Sequence, residues 1–424
     1  MVPRRNREAS ARDVSCPLTA SKSAPSQWSR TEASRGSSPL HRLAFAAFPV
    51  LLLCIAGAVA DEPEHKARGR PERASAESGK LFSEAAQEDF SALIGALSSP
   101  IAAERNAATK ALLEAGLKAL PELKRAMASD DAEVRRRAMF LAESLERKAI
   151  EHFRRRGIQV SVSKETGAAR SLSVADQAIE AEDLVQLAAL FRLENLAFRN
   201  TNISNEGLRV VGQLATLETL GFGAGCDNVT DDGLSHLAKL HTLTHLSFSG
   251  TKIEGRGLAA LADLDSLRVL GLGACPLDES SLIEGLGSMK PDGPLRSLSL
   301  TYGAVGRMAL RTIASKECIE RLQLDGTDVT DADLDILRMM PKLRNLDLRR
   351  TRVSDAGARK LATFPALGHV GLYDTQVTIA GLLSLGESKS LKAVGFNVQI
   401  TPEESLQLRE KWRWLGPAKT SFPQ

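Results

Sequence analysis

The sequence has 424 residues, of which 43% are hydrophobic and 25% are charged, so it is long enough for more than one domain and can bury a core. Its net charge of +3 is unevenly distributed, because residues 1–42 carry +5 whereas residues 61–424 carry −2. Only 4% of the residues are aromatic. This composition argues against a nucleic-acid binder, which needs a basic surface or a set of aromatic side chains that stack on bases.

An uncharged apolar segment, residues 43–60, follows the basic N-terminal stretch. It ends in the small residues that a signal peptidase recognises, and it is short for a membrane span. We therefore interpret residues 1–60 as an export signal cleaved after Ala60, which predicts a periplasmic, extracellular or cell-surface protein. The alternative is that residues 43–59 remain as a membrane anchor, since the basic stretch is unusually long for a signal peptide.

The next segment changes from a linker pattern to a helical one. Residues 61–82 are charged and contain proline without an apolar period, which is typical of a linker. Residues 83–156 carry apolar side chains at three- and four-residue steps, with Pro121 suited to a helix start and residues 129–131 suited to a helix cap. The pattern resembles a HEAT-type helical repeat, which implies a small all-α domain that mediates contacts or caps a neighbour. A plain helical bundle would give the same pattern.

From residue 169 onward the sequence repeats itself at intervals of 24 to 28 residues. The most regular unit, residues 319–340, first alternates apolar and polar side chains and then places apolar side chains at three-residue steps. Each unit is therefore predicted to form a strand, a turn and a helix. The ten units begin at Ala169, Leu193, Leu217, Leu243, Leu267, Leu295, Ile319, Leu343, Leu367 and Leu391.

The spacing L-x-x-L-x-L-x-x-[T/C]-x-[V/I/L] resembles the leucine-rich repeat family, and its helix-bearing form is similar to the ribonuclease-inhibitor-like, cysteine-containing branch. The resemblance implies an α/β solenoid over residues 157–416, followed by a tail at residues 417–424. We expect Trp412 and Trp414 to form a C-terminal cap over the last repeat. The family implies interaction with a partner and names no ligand.

The ninth position of most units holds a small polar or thiol side chain, which we expect to turn inward and bond buried backbone groups. Gly303 takes this position in the sixth unit, and Asp227 falls near it in the third, where two extra residues lie. We expect Cys226, Cys275 and Cys318 to be buried as small hydrophobic side chains, and the alternative is a disulfide bond between two of them. The side chains at the ninth position are Thr201, Thr251, Cys275, Thr327, Thr351 and Thr375.

No catalytic motif is present in the sequence, and no cysteine pair has metal-binding spacing. His245 and His369 fall on predicted strands five repeats apart, roughly 24 Å, so they cannot share a metal ion. We therefore predict a non-catalytic protein without a cofactor or a metal.

The third, fifth and seventh residues of each unit are predicted to lie on the concave face of the stacked sheet, away from the core. Units three to six place mainly Gly, Ser and Thr there, whereas units seven to nine place charged, amide and aromatic side chains. Tyr and Arg are enriched at binding hot spots, so this surface is the candidate site for a protein or an extended polymer. The alternative is an ordinary solvated face with cross-strand pairs Arg321–Asp347 or Asp325–Arg349. The eight residues, here named the sheet patch, are Arg321, Gln323, Asp325, Asn345, Asp347, Arg349, His369 and Tyr373.

The predicted function is thus an exported interaction scaffold that binds a partner protein or polymer and no nucleic acid. It would touch a membrane only through its N-terminal apolar segment, if that segment is uncleaved. An adaptor similar to the F-box leucine-rich repeat proteins of ubiquitin ligases is the main alternative, but the export signal argues against a cytosolic ligase. An enzyme whose site lies outside the repeats is a weaker one, because the helical segment offers no catalytic arrangement.

Overall fold

The computed structural model describes residues 89–412, and it begins with four α-helices. Pro121 lies in the first turn of the third helix, as predicted. Asp131 caps the fourth helix by accepting hydrogen bonds from the backbone N–H groups of Glu133 at 2.8 Å and Val134 at 3.1 Å. The linker and the export signal lie outside the described residues, and the HEAT-type resemblance stays a prediction. The four helices are α1 (Ser91–Ala96), α2 (Ala102–Ala115), α3 (Leu120–Ala126) and α4 (Ala132–Arg155).

One sheet of eleven strands runs through the rest of the molecule, with the strands in sequence order. The first two strands are antiparallel and every later pair is parallel. The strands are β1 (Gln159–Val162), β2 (Ala169–Ala175), β3 (Asn195–Arg199), β4 (Thr219–Phe222), β5 (His245–Phe248), β6 (Val269–Gly271), β7 (Ser297–Ser299), β8 (Arg321–Gln323), β9 (Asn345–Asp347), β10 (His369–Gly371) and β11 (Ala393–Gly395).

A short helix follows most strands, which agrees with the predicted repeat unit. In the third and fourth repeats it is a 3₁₀ helix, Asp231–Leu237 and Arg256–Leu261, instead of an α-helix. Side chains three residues apart align in a 3₁₀ helix, so the three-residue leucine step suits this geometry. The α-helices are α5 (Ala181–Leu187), α6 (Asn205–Val211), α7 (Glu279–Gly287), α8 (Arg307–Ala314), α9 (Leu334–Leu337), α10 (Asp355–Leu361), α11 (Ile379–Leu385) and α12 (Pro402–Lys411).

Stacked side chains from successive strands form the core between the sheet and these helices. At the sixth position of the unit, the rings of Phe198 and Phe222 lie 5.6 Å apart and those of Phe222 and Phe248 lie 5.4 Å apart, nearly parallel. Leu324 and Leu348 occupy the same position further along and are fully buried. The predicted strand register is therefore confirmed, because a one-residue slip would have put these side chains on the other face.

The hydroxyl groups at the ninth position of the unit turn inward and donate hydrogen bonds to backbone carbonyl groups, as predicted. Thr327 and Thr351 each donate to the carbonyl oxygen three residues earlier at 2.6 Å. In the third repeat, Asp227 falls near this position in the sequence but is exposed and does not fill it. Cys226 does so instead, fully buried, with its Sγ 3.5 Å from the hydroxyl of Thr201. A buried thiol needs no charged partner, whereas a carboxylate there would carry a desolvation cost.

The eighth position recurs in the left-handed backbone region. Its non-glycine members are Asp176, Asn200, Ala274, Tyr302, Arg350 and Asp374, with φ between 49° and 58°. Gly250 and Gly326 take the same position with φ of 69°. This turn ends each strand and directs the eighth side chains to one edge of the sheet.

The N-terminal helices are held against the first repeats by buried ion pairs. Glu146 of α4, which is 1% exposed, accepts a hydrogen bond from the backbone N–H of Ala169 at 3.1 Å and pairs with Arg192 at 2.5 Å. Asp183 of α5, also 1% exposed, bonds His152 at 2.8 Å and pairs with Arg156. Removing one member of either pair would leave a buried charge without its partner, so these contacts fix the junction.

The last repeat is covered by α12, as predicted. Thr401 caps this helix, and the two-way bonding between Thr401 and Glu404 closes its first turn. Trp412 is 2% exposed, and its indole N–H donates to the carbonyl of Leu382 at 2.9 Å. Trp414 lies outside the described residues.

Candidate functional site

The sheet patch comes from strands β8 to β10, and its outward positions align across the strands. Arg321 lies opposite Asn345, which lies opposite His369. Gln323 likewise aligns with Asp347, and Asp347 aligns with Gly371. The structure thus brings the third- and fifth-position residues together in two rows, as the unit alignment predicted.

Arg349 is the centre of the charged contacts in the patch. Its guanidinium group holds the Asp347 carboxylate through Nε at 2.9 Å and Nη2 at 2.7 Å, and Nη2 also lies 3.7 Å from Asp325. The expected Asp325–Arg349 pair therefore forms. The Arg321–Asp347 pair does not, because the register places Asn345 opposite Arg321. The Arg349 side chain is still 41% exposed, so part of its donor set faces solvent.

The burial of Asp325 differs from the prediction. This residue was predicted to face solvent, but it is only 4% exposed. Its Oδ2 accepts a hydrogen bond from Arg350 at 2.5 Å, and the guanidinium groups of Arg349 and Arg350 cover it. Its Oδ1 is buried without a hydrogen-bond partner. Burial raises the pKa of the Asp325 carboxyl, and the two neighbouring arginines oppose that rise. Asp325 therefore orients the two arginines and is not itself a contact surface.

Two residues of this surface, Tyr302 and Arg350, were not predicted as site residues. Both stand at the eighth position, where the left-handed turn directs them to the edge beside the patch. The guanidinium carbon of Arg350 lies 5.1 Å from the centre of the Tyr302 ring, within the range of a cation–π contact. The Tyr302 side chain is 47% exposed. The surface available to a partner is thus wider than the eight predicted residues.

Tyr373 is the exposed aromatic residue of the patch proper, at 42% exposure. Its ring covers Gly395 of the next strand, where a Cβ atom would lie 2.5 Å from Cε2 of the tyrosine. On the other side, Gly371 would place a Cβ atom 2.9 Å from Asp347 Oδ1. The two glycines therefore let the patch side chains lie flat along the sheet.

The part of the sheet before the patch is flat and nearly bare, as predicted. A Cβ atom at Gly271 would lie 2.9 Å from the hydroxyl of Ser247, and one at Gly273 would lie 2.5 Å from that of Thr301. Although a Cβ atom at Gly223 would lie 3.1 Å from Cγ of Arg199, the backbone at Gly271 and Gly273 is bordered by small side chains. A partner can approach it closely.

Other reactive groups are dispersed in the described part of the chain. Within residues 89–412, no group of three or more His, Cys, Asp or Glu is placed to hold a metal ion. Cys226, Cys275 and Cys318 are free and buried, as predicted. The same residues contain no helix that combines the length and the apolar character needed to cross a membrane.

Comparison with known families supports the repeat assignment. The family model described as Leucine Rich repeat matches residues 239–262 and 340–362. The first segment contains β5 and the 3₁₀ helix Arg256–Leu261, and the second contains β9 and α10, so each spans one strand and the helix that follows it. The chain therefore contains leucine-rich repeats, arranged as an α/β solenoid. Its assignment to the ribonuclease-inhibitor-like branch stays a prediction.

The chain is also similar to parts of solved structures. Internalin InlF of Listeria monocytogenes is 19% identical over 60% of this chain and 76% of its own, with a TM-score of 0.38. Internalin C2 of the same bacterium is 24% identical over 50% of this chain and 84% of its own, with a TM-score of 0.35. TLR13, solved in its complex with ssRNA13, is 17% identical over 58% of this chain and 35% of its own, with a TM-score of 0.41. No curated protein matches this chain in sequence.

Proposed function

We propose that the protein is a non-catalytic interaction scaffold that binds a partner protein or an extended polymer through the sheet patch on its concave face. The observation that carries the proposal is the placement of both tyrosines of the chain, Tyr302 and Tyr373, half-exposed beside arginines that are already oriented by carboxylates. Tyrosine offers rigid apolar area with a polar tip, and arginine offers forked donors for carboxylates and carbonyls. Both contribute strongly at interfaces.

Solvent exposure alone accounts for polar side chains on a strand, and cross-strand pairing accounts for Asp325 and Arg349. Neither accounts for an exposed tyrosine whose ring lies over Gly395 of the next strand. The Tyr373 ring already lies over Gly395, and a ring that keeps this position would lose little side-chain entropy when a partner covers it. The bare strands β6 and β7, which precede the patch in the sheet, leave room for the partner to continue along it.

The test is capture of partners from the secreted and surface proteins of the source cells, with the purified chain as bait. We expect the double variant Arg349→Ala/Tyr373→Ala to weaken capture at least about tenfold, or about 1.4 kcal/mol. The control is Met339→Ala, which removes a 73% exposed side chain from the helix side. Capture that is equal for all three proteins would refute the proposal, and thermal melts of each protein would verify folding.

We further propose that the protein is exported and that its mature chain starts at Asp61. The apolar segment with small residues at its end supports this. N-terminal sequencing of the natural protein, combined with cell fractionation, tests it. A chain that retains residues 43–59 and sediments with membranes would support the anchor instead.

A further inference from the structure

The residues just before the strands form a second row, at the edge of the sheet opposite the tyrosines. Backbone hydrogen bonds of 2.7–3.0 Å link the second position of each repeat to that of the next. Neighbours in this row are therefore separated by one strand spacing of about 4.8 Å. From the fourth repeat onward the row is Thr244, Arg268, Arg296, Glu320, Arg344, Gly368 and Lys392.

This row is strongly basic in the second half of the solenoid. Together with Arg321, which follows Glu320 at the start of β8, it supplies five cationic side chains and one carboxylate. We name Arg268, Arg296, Arg321, Arg344 and Lys392 the basic strip. It crosses six adjacent strands, a distance of roughly 24 Å.

None of the five cations forms an ion pair with a carboxylate of residues 89–412. Arg296 donates instead to the carbonyl oxygens of Gly293 at 2.8 Å and Leu295 at 3.2 Å. The same position in the first repeat behaves differently, because Arg170 is paired with Glu194 at 2.7 Å. The basic strip thus keeps a net positive charge even with Glu320 in the row, and its side chains are exposed apart from the half-buried Arg296.

We propose that the basic strip binds an acidic segment of a partner protein, extended across the strands. This inference rests on the proposed function, because it names the charge of the partner that the scaffold would bind. An extended chain rises about 3.3 Å per residue, so about eight residues would cover the strip. Arginine forks hold carboxylates through paired hydrogen bonds, and the exposed cations would also speed association.

The side chains around the strip favour a polypeptide over a nucleic acid. Glu320 lies between Arg296 and Arg344 in the row, where it would repel a chain with a phosphate on every unit. A peptide N–H group can donate a hydrogen bond to the same carboxylate. The strip itself contains no Phe, Tyr or Trp, and both tyrosines stand at the opposite edge, so bases would find no stacking surface there.

The test is fluorescence anisotropy with the purified full-length chain and a labelled peptide of about ten residues in which Glu alternates with Ser. We expect binding that weakens as salt rises, and at least about tenfold weaker binding by Arg268→Glu/Arg344→Glu. The matched control, Arg311→Glu/Arg338→Glu, makes the same charge change at exposed positions on the helix side. It should bind the peptide within about twofold of the unchanged protein.

Two results would overturn the inference. One is equal binding of a matched peptide in which Lys replaces Glu. The other is tighter binding of a single-stranded thymidine oligonucleotide of the same length. If the Glu peptide does not bind while partner capture still depends on Arg349 and Tyr373, the inference fails and the proposed function stands. If the peptide binds through the basic strip but partner capture does not depend on Arg349 and Tyr373, the proposed function fails on its own test.

Discussion

The guanidinium carbon of Arg350 lies 5.1 Å from the centre of the Tyr302 ring, although a complete repeat separates their strands. The residue between them at the same position is Gly326, where a Cβ atom would lie 2.5 Å from Cδ1 of Tyr302. All three residues have left-handed backbone, so their side chains leave the sheet at one edge. The glycine therefore makes the contact between its two neighbours possible.

Replacement of Gly326 should disturb this contact. We expect Gly326→Ala to lower the free energy of unfolding by about 1–2 kcal/mol, since the new side chain meets the tyrosine ring and φ is 69°. The control is Gly287→Ala at the end of α7, where nothing lies within 4 Å of a Cβ atom. That change should be neutral or stabilise by up to about 1 kcal/mol in urea melts. Equal losses in both variants would contradict this account of the edge.

The strand register predicts a large difference between two adjacent residues. Leu324 is fully buried, so Leu324→Ala should cost about 2–5 kcal/mol through lost burial and the cavity that remains. Gln323, on the opposite face, should tolerate Gln323→Ala with a change below about 0.5 kcal/mol. Urea denaturation of the two variants measures both values. Similar costs would mean that the two faces of β8 are wrongly assigned.

Buried thiols should be unreactive in the folded protein. Burial raises the pKa of the Cys226 and Cys275 thiols, and hydrogen bonds from Thr201 and Thr251 only partly oppose this. We expect iodoacetamide at mildly alkaline pH to leave both cysteines unmodified in the native state and to modify them in urea. Mass spectrometry of digested protein measures the extent. Fast labelling of either cysteine in the native protein would show that the core beneath the strands opens readily.

The stability of the folded protein should depend on pH through the carboxyl group of Asp278. Hydrogen bonds from the Ser280 hydroxyl and then the Ser281 backbone N–H lower the pKa of its carboxyl to about 2. Because the pKa is depressed on folding, its stabilisation is present above the unfolded value of about 3.9 and is lost as the pH falls through about 2. Asp278→Ala should therefore lower the melting temperature at pH 7, and the difference should vanish toward the acid end. A difference that persists below about pH 2 would have another origin.

The repeat period and the alternation within each unit were sufficient to predict the solenoid, the register and the inward leucines. They act locally, because each strand must place its apolar side chains on one face. The antiparallel β1 was not predicted, since it belongs to no repeat and its pairing depends on the neighbouring strand. The sequence also did not distinguish the 3₁₀ helices from the α-helices, because both types fit a three-residue apolar step over so short a length.

The candidate site was predicted in outline and missed at one edge. A usable signal was present, since the eighth position often holds Asp, Asn or Gly, the residue types most tolerant of left-handed backbone. Tyr302 and Arg350 interrupt this pattern, and their contact across one repeat was not predicted. The burial of Asp325 could not be predicted either, because it depends on where two long arginine side chains fold back.

Site-specific photo-crosslinking tests the central claim, that partners bind on the sheet face, most directly. A photoreactive amino acid would replace Gln323 in the sheet patch, and in separate proteins Met339 on the helix side or Phe140 in α4, both exposed. The account predicts a crosslinked partner from position 323 and none from the other two. Crosslinks from position 339 or 140, with none from 323, would contradict it.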